Sequence, residues 1–171
     1  ETYRLMQLLS NSQARKQGLL NLAKPLSYHP EYNMLWQQGL NGKPLIKLDL
    51  KSAEFSEVLR QVARTVATLH QTPLHCTKKI TLEAWQHKLE AKLGPLVNDL
   101  LEQSRHLSKQ PKATLHGDLH LQNFLSDNGT LSLIDLDNLC QGSPWQDIGS
   151  FIAGLYYRGL LEAVPIATIQ S

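Results

Sequence analysis

His116-Gly117-Asp118-Leu119-His120-Leu121-Gln122-Asn123, and the run Leu131-Ser132-Leu133-Ile134-Asp135 after it, decide how this 171-residue chain is read. Between the two, Asn123-Phe124-Leu125-Ser126 reads as a short strand, Asp127-Asn128-Gly129-Thr130 as a turn, and Leu131 to Asp135 as the returning strand. Asn-Gly is the strongest short hairpin signal, because both residues tolerate positive φ. With Asn128 and Gly129 as the loop, Asp127 pairs with Thr130, Leu125 lies opposite Ser132, and Asn123 lies opposite Ile134, beside Asp135. Facing or diagonal neighbours in such a pair are roughly 5–8 Å apart. The open end of the hairpin therefore gathers an amide oxygen and a carboxylate, with Asp118 in the loop just before it.

That set suits phosphoryl transfer. A hard cation such as Mg²⁺ takes carboxylate, amide, phosphate and water oxygens in octahedral array, and Asn123 and Asp135 offer the protein's share. Asp118 offers a carboxylate to accept a hydroxyl proton, in a chemistry where the protein mainly positions groups and neutralises charge. The order of residues is that of a kinase catalytic loop followed by its magnesium-binding Asp. Gly117 stands where protein kinases carry Arg, so control through an Arg gripping a phosphorylated activation loop is not expected.

His116 to Asn123 has the H-G-D-x-H-x-x-N form, and it resembles the aminoglycoside phosphotransferase and choline kinase-like enzymes, which share a protein-kinase-like fold. Leu133-Ile134-Asp135-Leu136-Asp137 is similar to their hydrophobic-hydrophobic-D-x-D/E segment. Gly142-Ser143-Pro144-Trp145-Gln146-Asp147-Ile148-Gly149 is similar to their G-D-P-x-x-D-L-A segment, with Ser143 in place of Asp. The Leu121-Gln122 pair departs from the common Pro-Gly. The resemblance implies that Asp118 is the catalytic base, that Asn123 and Asp135 are Mg²⁺ ligands with Asp137 assisting or nearby, and that ATP is the phosphoryl donor. It implies that Asp147 braces the catalytic loop, with His116 as structural support. These motifs cover about the last third of the chain.

The rest of the chain is read against that centre. Glu1 to Leu9 reads as a helix with Leu5, Leu8 and Leu9 on one face. By resemblance it corresponds to the helix whose Glu pairs with a nucleotide-binding Lys, and Glu1 has the matching spacing. Pro25-Leu26-Ser27-Tyr28 and Asn33 to Gln38 read as strands around a His29-Pro30-Glu31-Tyr32 turn. The backbone of Gln38, Gly39 and Leu40 then corresponds to the hinge that contacts adenine. Ser52 caps a helix running to about His70, with Phe55, Val58, Leu59, Val62, Val66 and Leu69 as its core stripe. A further helix starts at Thr81, with Leu82, Trp85, Leu89 and Leu93 on one face, and Pro95 opens another. His70 and Trp85 read as packing residues. Asp147 to Leu161 reads as helical, where Asp147 also suits an N-cap.

The expected class is α+β: a mostly helical large lobe with a catalytic hairpin over residues 46–171, plus the remnant of a small β lobe and hinge over residues 1–45. No G-x-G-x-x-G loop occurs, and Lys24 is a poor match for a phosphate-binding strand Lys because it follows the candidate Glu helix and precedes Pro25. The chain opens on Glu1 and is read as a partial chain. The 42% hydrophobic content and net charge of +2 suit a globular chain and fall short of a nucleic-acid footprint. No run approaches the roughly 18 apolar residues of a membrane span, and Cys76 and Cys140 read as reduced thiols of a cytoplasmic protein.

The expected function is therefore ATP-dependent phosphorylation of a hydroxyl on a small molecule of aminoglycoside, choline or ethanolamine, thiamine or sugar type. A catalytically weak kinase-like binding or regulatory module is the alternative. A metal-dependent hydrolase is a further reading, with His116, Asp118 and His120 alternating as ligands; it leaves the Asn123–Asp135 hairpin unexplained. Each Asp taken singly also suits a turn, and the combined spacing favours the site.

Overall fold

The computed structural model describes residues 1–80 and 112–165, with Gly94, Glu102 and Ala167. The helices read from Thr81 and Pro95, and Trp85 with them, lie outside the described residues.

Helix α1 spans Thr2–Ser10 and buries Leu5, Met6 and Leu9. Leu8, expected on that face, is exposed, and Met6 takes its place in the core. A short helix α2, Gln13–Lys16, follows behind Ser12, whose hydroxyl accepts from the Arg15 amide. Strands β1, Pro25–His29, and β2, Met34–Gln37, form an antiparallel ribbon with Tyr28 opposite Leu35. Pro30–Tyr32 makes a 3₁₀ turn between them, closed by Asn33 in the left-handed region. Tyr28 stacks on Tyr3 of α1, so the ribbon and the helix meet.

Strand β3 is only Lys43–Pro44. It leads through the 3₁₀ turn Leu45–Lys47 to helix α3, Ala53–Gln71. The Ser52 hydroxyl accepts from the Phe55 amide, the cap read from the sequence. Phe55, Val58, Val62, Val66 and Leu69 are buried along one stripe. Leu59, expected there, is partly buried and packs against its edge.

Strand β4, Ala113–Leu115, pairs antiparallel with β7, Cys140–Gly142. Strands β5, Phe124–Asp127, and β6, Thr130–Leu133, form the hairpin in the expected register: Asp127 opposite Thr130 and Leu125 opposite Ser132. Asn128 and Gly129 take φ of 47° and 78°, the pair of left-handed residues that such a tight turn needs. Strand β3 adds to β5, giving the order β3-β5-β6. Helix α4 is Trp145–Leu161.

One hydrophobic cluster runs from Leu5, Met6 and Leu9 of α1 through the α3 stripe to Phe124, Leu133 and Leu155. Each such side chain contributes about 1.5–3 kcal/mol on burial. Phe124 is fully buried and meets Phe151 of α4 edge to face. The hairpin that carries the candidate site is thus anchored in the common core. Among the described residues no helix is long and apolar enough to cross a membrane.

Candidate active site

The catalytic-loop segment leaves β4 at Leu115 and reaches β5 through a 3₁₀ turn at Leu121–Asn123. Its path is fixed by buried hydrogen bonds. Asp147, 2% exposed in the first turn of α4, accepts from the His116 amide at 2.8 Å and the Gly117 amide at 3.0 Å. His70, at the end of α3, donates from Nε2 to the same carboxylate at 3.0 Å. Helix α4 begins at Trp145, so Asp147 sits inside the helix rather than capping it, and its oxygens serve the loop.

His116 is completely buried. Its Nε2 donates to the Ile134 carbonyl at 2.9 Å. The Ile134 amide in turn donates to the Asn123 carbonyl at 2.9 Å. These bonds lock the end of β6 to the end of the loop and put Asp135 next in line beside Asn123. Asn123 is buried, and its Nδ2 donates to the Asp118 carbonyl at 2.6 Å. That contact turns Oδ1 away from the carbonyl. Asp135 is exposed and holds φ 60°, ψ 57°. A left-handed aspartate is uncommon, and such backbone outliers concentrate at functional sites. Asp137 is also exposed, one turn further on.

Gly117 explains the bend before Asp118. Its φ is +84°, and a Cβ there would collide with the Asn138 carbonyl oxygen. No side chain fits, least of all the Arg of protein kinases. Asp118 follows with a side chain 54% exposed, its Oδ2 3.9 Å from Nε2 of His120.

Asp135 and Asp137 are among the residues that line a cleft of about 630 Å³. Glu1 and Arg4 of α1 and Tyr28, Leu35 and Gln37 of the ribbon wall it. Gln38, Gly39 and Leu40, the expected hinge, lie just beyond Gln37 and are not among the residues lining this cleft; the Gln38 amide is taken by the Lys24 carbonyl at 2.8 Å. The Glu1 carboxylate accepts from the backbone amide and hydroxyl of Thr77, which hold it below the usual carboxylate range. His116, Asp118 and His120 do not form a three-residue metal site: His116 Nε2 is taken by the Ile134 carbonyl, and among the described residues no group of three His, Cys, Asp or Glu side chains could hold a metal ion. The hydrolase reading is set aside on that geometry.

A model of the phosphotransferase enzyme family matches residues 1–168. The chain belongs to this family. A search of the curated proteins finds no match. Among solved structures, the phosphotransferase-family chain is similar to the aminoglycoside phosphotransferase APH(3'')-Id from Streptomyces rimosus in complex with ADP and streptomycin. The TM-score is 0.64 and the identity 18%, over 91% of this chain and 66% of that one. It is also similar to a choline/ethanolamine kinase family protein from Mesorhizobium loti, with a TM-score of 0.65 and 15% identity over 98% of this chain and 57% of that one. A third is the amicoumacin kinase hAmiN in complex with AMP-PNP, Ca²⁺ and Ami, with a TM-score of 0.59 and 19% identity over 92% of this chain and 55% of that one. The chain therefore spans under two thirds of the length of these proteins. The likeness establishes the kinase-like α+β fold.

Two residues of this phosphotransferase-family chain escaped the sequence reading. His70 looked like helix packing and is instead a partner of Asp147. Arg158, 8% exposed, donates to the Leu45 and Leu48 carbonyls and to Glu162. A His or Arg inside an apolar helix stripe signals nothing by spacing. Only the fold shows which carbonyl or carboxylate waits opposite.

Proposed function

We infer that the chain carries the catalytic core of an ATP-dependent phosphotransferase acting on a hydroxyl of a small molecule. The observation that carries this reading is the junction of loop and hairpin: the Ile134 amide bonds the Asn123 carbonyl, Asn123 Nδ2 bonds the Asp118 carbonyl, and the left-handed Asp135 that follows Ile134 lines the large cleft. The acceptor is of aminoglycoside, choline or ethanolamine, thiamine or sugar type. Residues 1–45 serve as the end of the nucleotide lobe and hinge, and 46–171 as the large catalytic lobe.

The donor set fits a hard cation. Asp135 and Asp137 are exposed carboxylates in the cleft, and Asn123 is held by its nitrogen so that its oxygen is the free end. All are oxygen donors, as Mg²⁺ prefers. When bound, Mg²⁺ supplies charge neutralisation to the nucleotide phosphates. Leu35 and Gln37 line the base end, with the backbone of Gln38, Gly39 and Leu40 beyond. Because the Gln38 amide is already bonded, adenine contacts fall to the Gln38 carbonyl and the amides of Gly39 and Leu40. In the transfer, Asp118 accepts the proton of the acceptor hydroxyl. The acceptor oxygen bonds to the γ-phosphorus as the bond to the β,γ-bridging oxygen breaks, and ADP leaves with that electron pair. Asp147 and His116 keep the loop rigid during this step. The buried, reduced thiols of Cys76 and Cys140 suit a cytoplasmic setting.

The test is turnover of ATP against a panel of hydroxyl acceptors, comparing the chain with Asp118→Asn. Loss of a positioned base lowers kcat about 10²–10⁴-fold while nucleotide affinity stays. Equal turnover by the variant would remove Asp118 from the reaction.

A further inference from the structure

Glu1, Arg4, Asp135 and Asp137 are the charged side chains that line the large cleft. Three are carboxylates, and Arg4 is the one cationic side chain among the described residues that line it. Lys24 is not among them. A nucleoside triphosphate that enters with Mg²⁺ still carries net negative charge. The carboxylates repel whatever part of that charge the metal does not offset. A fixed positive group on the cleft wall therefore favours the ligand, and Arg4 is placed to be that group.

The position of Arg4 is held while its charge stays free. Helix α1 buries Leu5, Met6 and Leu9 in the core and packs against the 3₁₀ turn Leu136–Asn138, which directly follows Asp135. Arg4 Nη2 donates to the His75 carbonyl at 2.8 Å. A carbonyl is neutral, so this bond anchors the guanidinium without cancelling its charge, and it leaves most of the five N–H donors of the fork unused. The natural ion-pair partner is Glu1, three residues earlier. Its carboxylate is bonded instead to the Thr77 amide at 2.6 Å and to the Thr77 hydroxyl. Among the described residues Arg4 forms no ion pair. An exposed arginine in a cleft, anchored by a neutral group and without a counter-ion, is set to receive an anion.

We propose that Arg4 is a phosphate-contacting residue of the nucleotide site, its guanidinium gripping the β- and γ-phosphates from the α1 wall. The proposal rests on the phosphotransferase reading for the identity of the ligand in this cleft. A guanidinium matches two phosphate oxygens with parallel N–H···O bonds, which the point charge of a lysine does not. The terminal phosphates are the ones concerned. They share the bound cation, and Asp135, its proposed ligand, lines the same cleft. Arg4 exchanges no proton and makes no covalent bond. It holds the donor in place and offsets the charge that gathers on ADP as the bridging bond breaks.

Calorimetric titration of AMP-PNP, ADP and AMP, each with Mg²⁺, into the full chain and into Arg4→Gln tests the proposal. Gln keeps a donor for the His75 carbonyl and removes the charge. The expected result is a loss of about tenfold or more for AMP-PNP and ADP, as for a hydrogen bond between charged partners, with AMP changed by less than about twofold. Arg4→Lys, which keeps the charge and loses the fork, falls between the parent and Arg4→Gln. Added salt weakens AMP-PNP binding more steeply in the parent than in Arg4→Gln. Thermal unfolding by circular dichroism shows that the variants are folded. If Arg4→Gln melts below the titration temperature, Arg4→Lys decides alone, since it must still lose affinity for AMP-PNP and ADP but not for AMP. The proposal is overturned if the folded variants bind AMP-PNP as tightly as the parent. It is equally overturned if AMP weakens as much as AMP-PNP with no difference in salt dependence, the pattern of an arginine that only anchors α1. A parent that binds no AMP-PNP overturns the phosphotransferase reading and this proposal together, whereas equal binding by parent and variants removes Arg4 alone.

Discussion

Gly117 has no room for any side chain, since its φ is +84° and the Asn138 carbonyl occupies the place of a Cβ. Gly117→Ala therefore pays both a left-handed backbone cost of about 1–2 kcal/mol and a steric displacement of the loop. Thermal unfolding should shift down accordingly, and ATP turnover should fall further than the loss of folded protein explains. Asp147 carries more of the same loop. Asp147→Ala strands the His116 and Gly117 amides and the His70 ring in a buried setting, at a cost of about 3 kcal/mol or more by denaturant unfolding. His70→Ala leaves the backbone donors in place and costs about 1–2 kcal/mol. Equal effects of the two would contradict the view that the backbone bonds do most of the bracing. Cys140, buried beneath Gly117, has its thiol pushed by burial from an ordinary 9.0 up to about 12. The folded thiol holds its proton where the unfolded one loses it, so this contribution to stability is complete below pH 9 and fades as the pH rises toward 12. The native protein should resist thiol reagents at pH 8 that label it at once in denaturant. At this scale the placing of Asp135 beside Asn123 was legible, because spacing within one hairpin fixes it. His70 and Arg158 were not, because their partners lie 77 and more than 100 residues away in sequence.

At the scale of elements, the hairpin was the most legible part of the chain, since Asn128-Gly129 dictates the turn and the turn dictates the register. The α3 boundary was equally plain from Ser52 and the stripe behind it. Ser52→Ala removes the bond to the Phe55 amide and should cost about 1 kcal/mol in chemical denaturation. A cost near zero would show that water replaces the cap. Helix α1 was read with the wrong neighbour of Leu9, because Leu8 and Met6 are both apolar and a nine-residue helix allows either face. Its rotation is decided by tertiary groups: Tyr3 stacks on Tyr28, and Arg4 bonds the His75 carbonyl at 2.8 Å.

For the molecule as a whole, one hydrophobic cluster joins the first 45 residues to the rest of the described chain. Leu5, Met6 and Leu9 share it with Leu69, Phe124 and Leu133. The Leu133 amide also bonds the Asn21 carbonyl, and Leu22 bridges to Leu133. Unfolding followed by circular dichroism and by tryptophan fluorescence should therefore give one coincident transition. Separate transitions would mean that residues 1–45 fold apart from the rest. None of this connectivity was visible beforehand, because long-range core contacts leave no periodic mark. The claim that most needs a direct test is that Asn123 and Asp135 hold a cation for a nucleotide in the adjoining cleft. Calorimetric titration of AMP-PNP, with and without Mg²⁺, into the parent and Asp135→Asn measures it. Asn adopts the left-handed backbone readily, so that variant changes charge without disturbing the turn. The account predicts Mg²⁺-dependent binding by the parent and at least about a tenfold loss in Asp135→Asn. Binding that ignores Mg²⁺, or that survives Asp135→Asn unchanged, would contradict it.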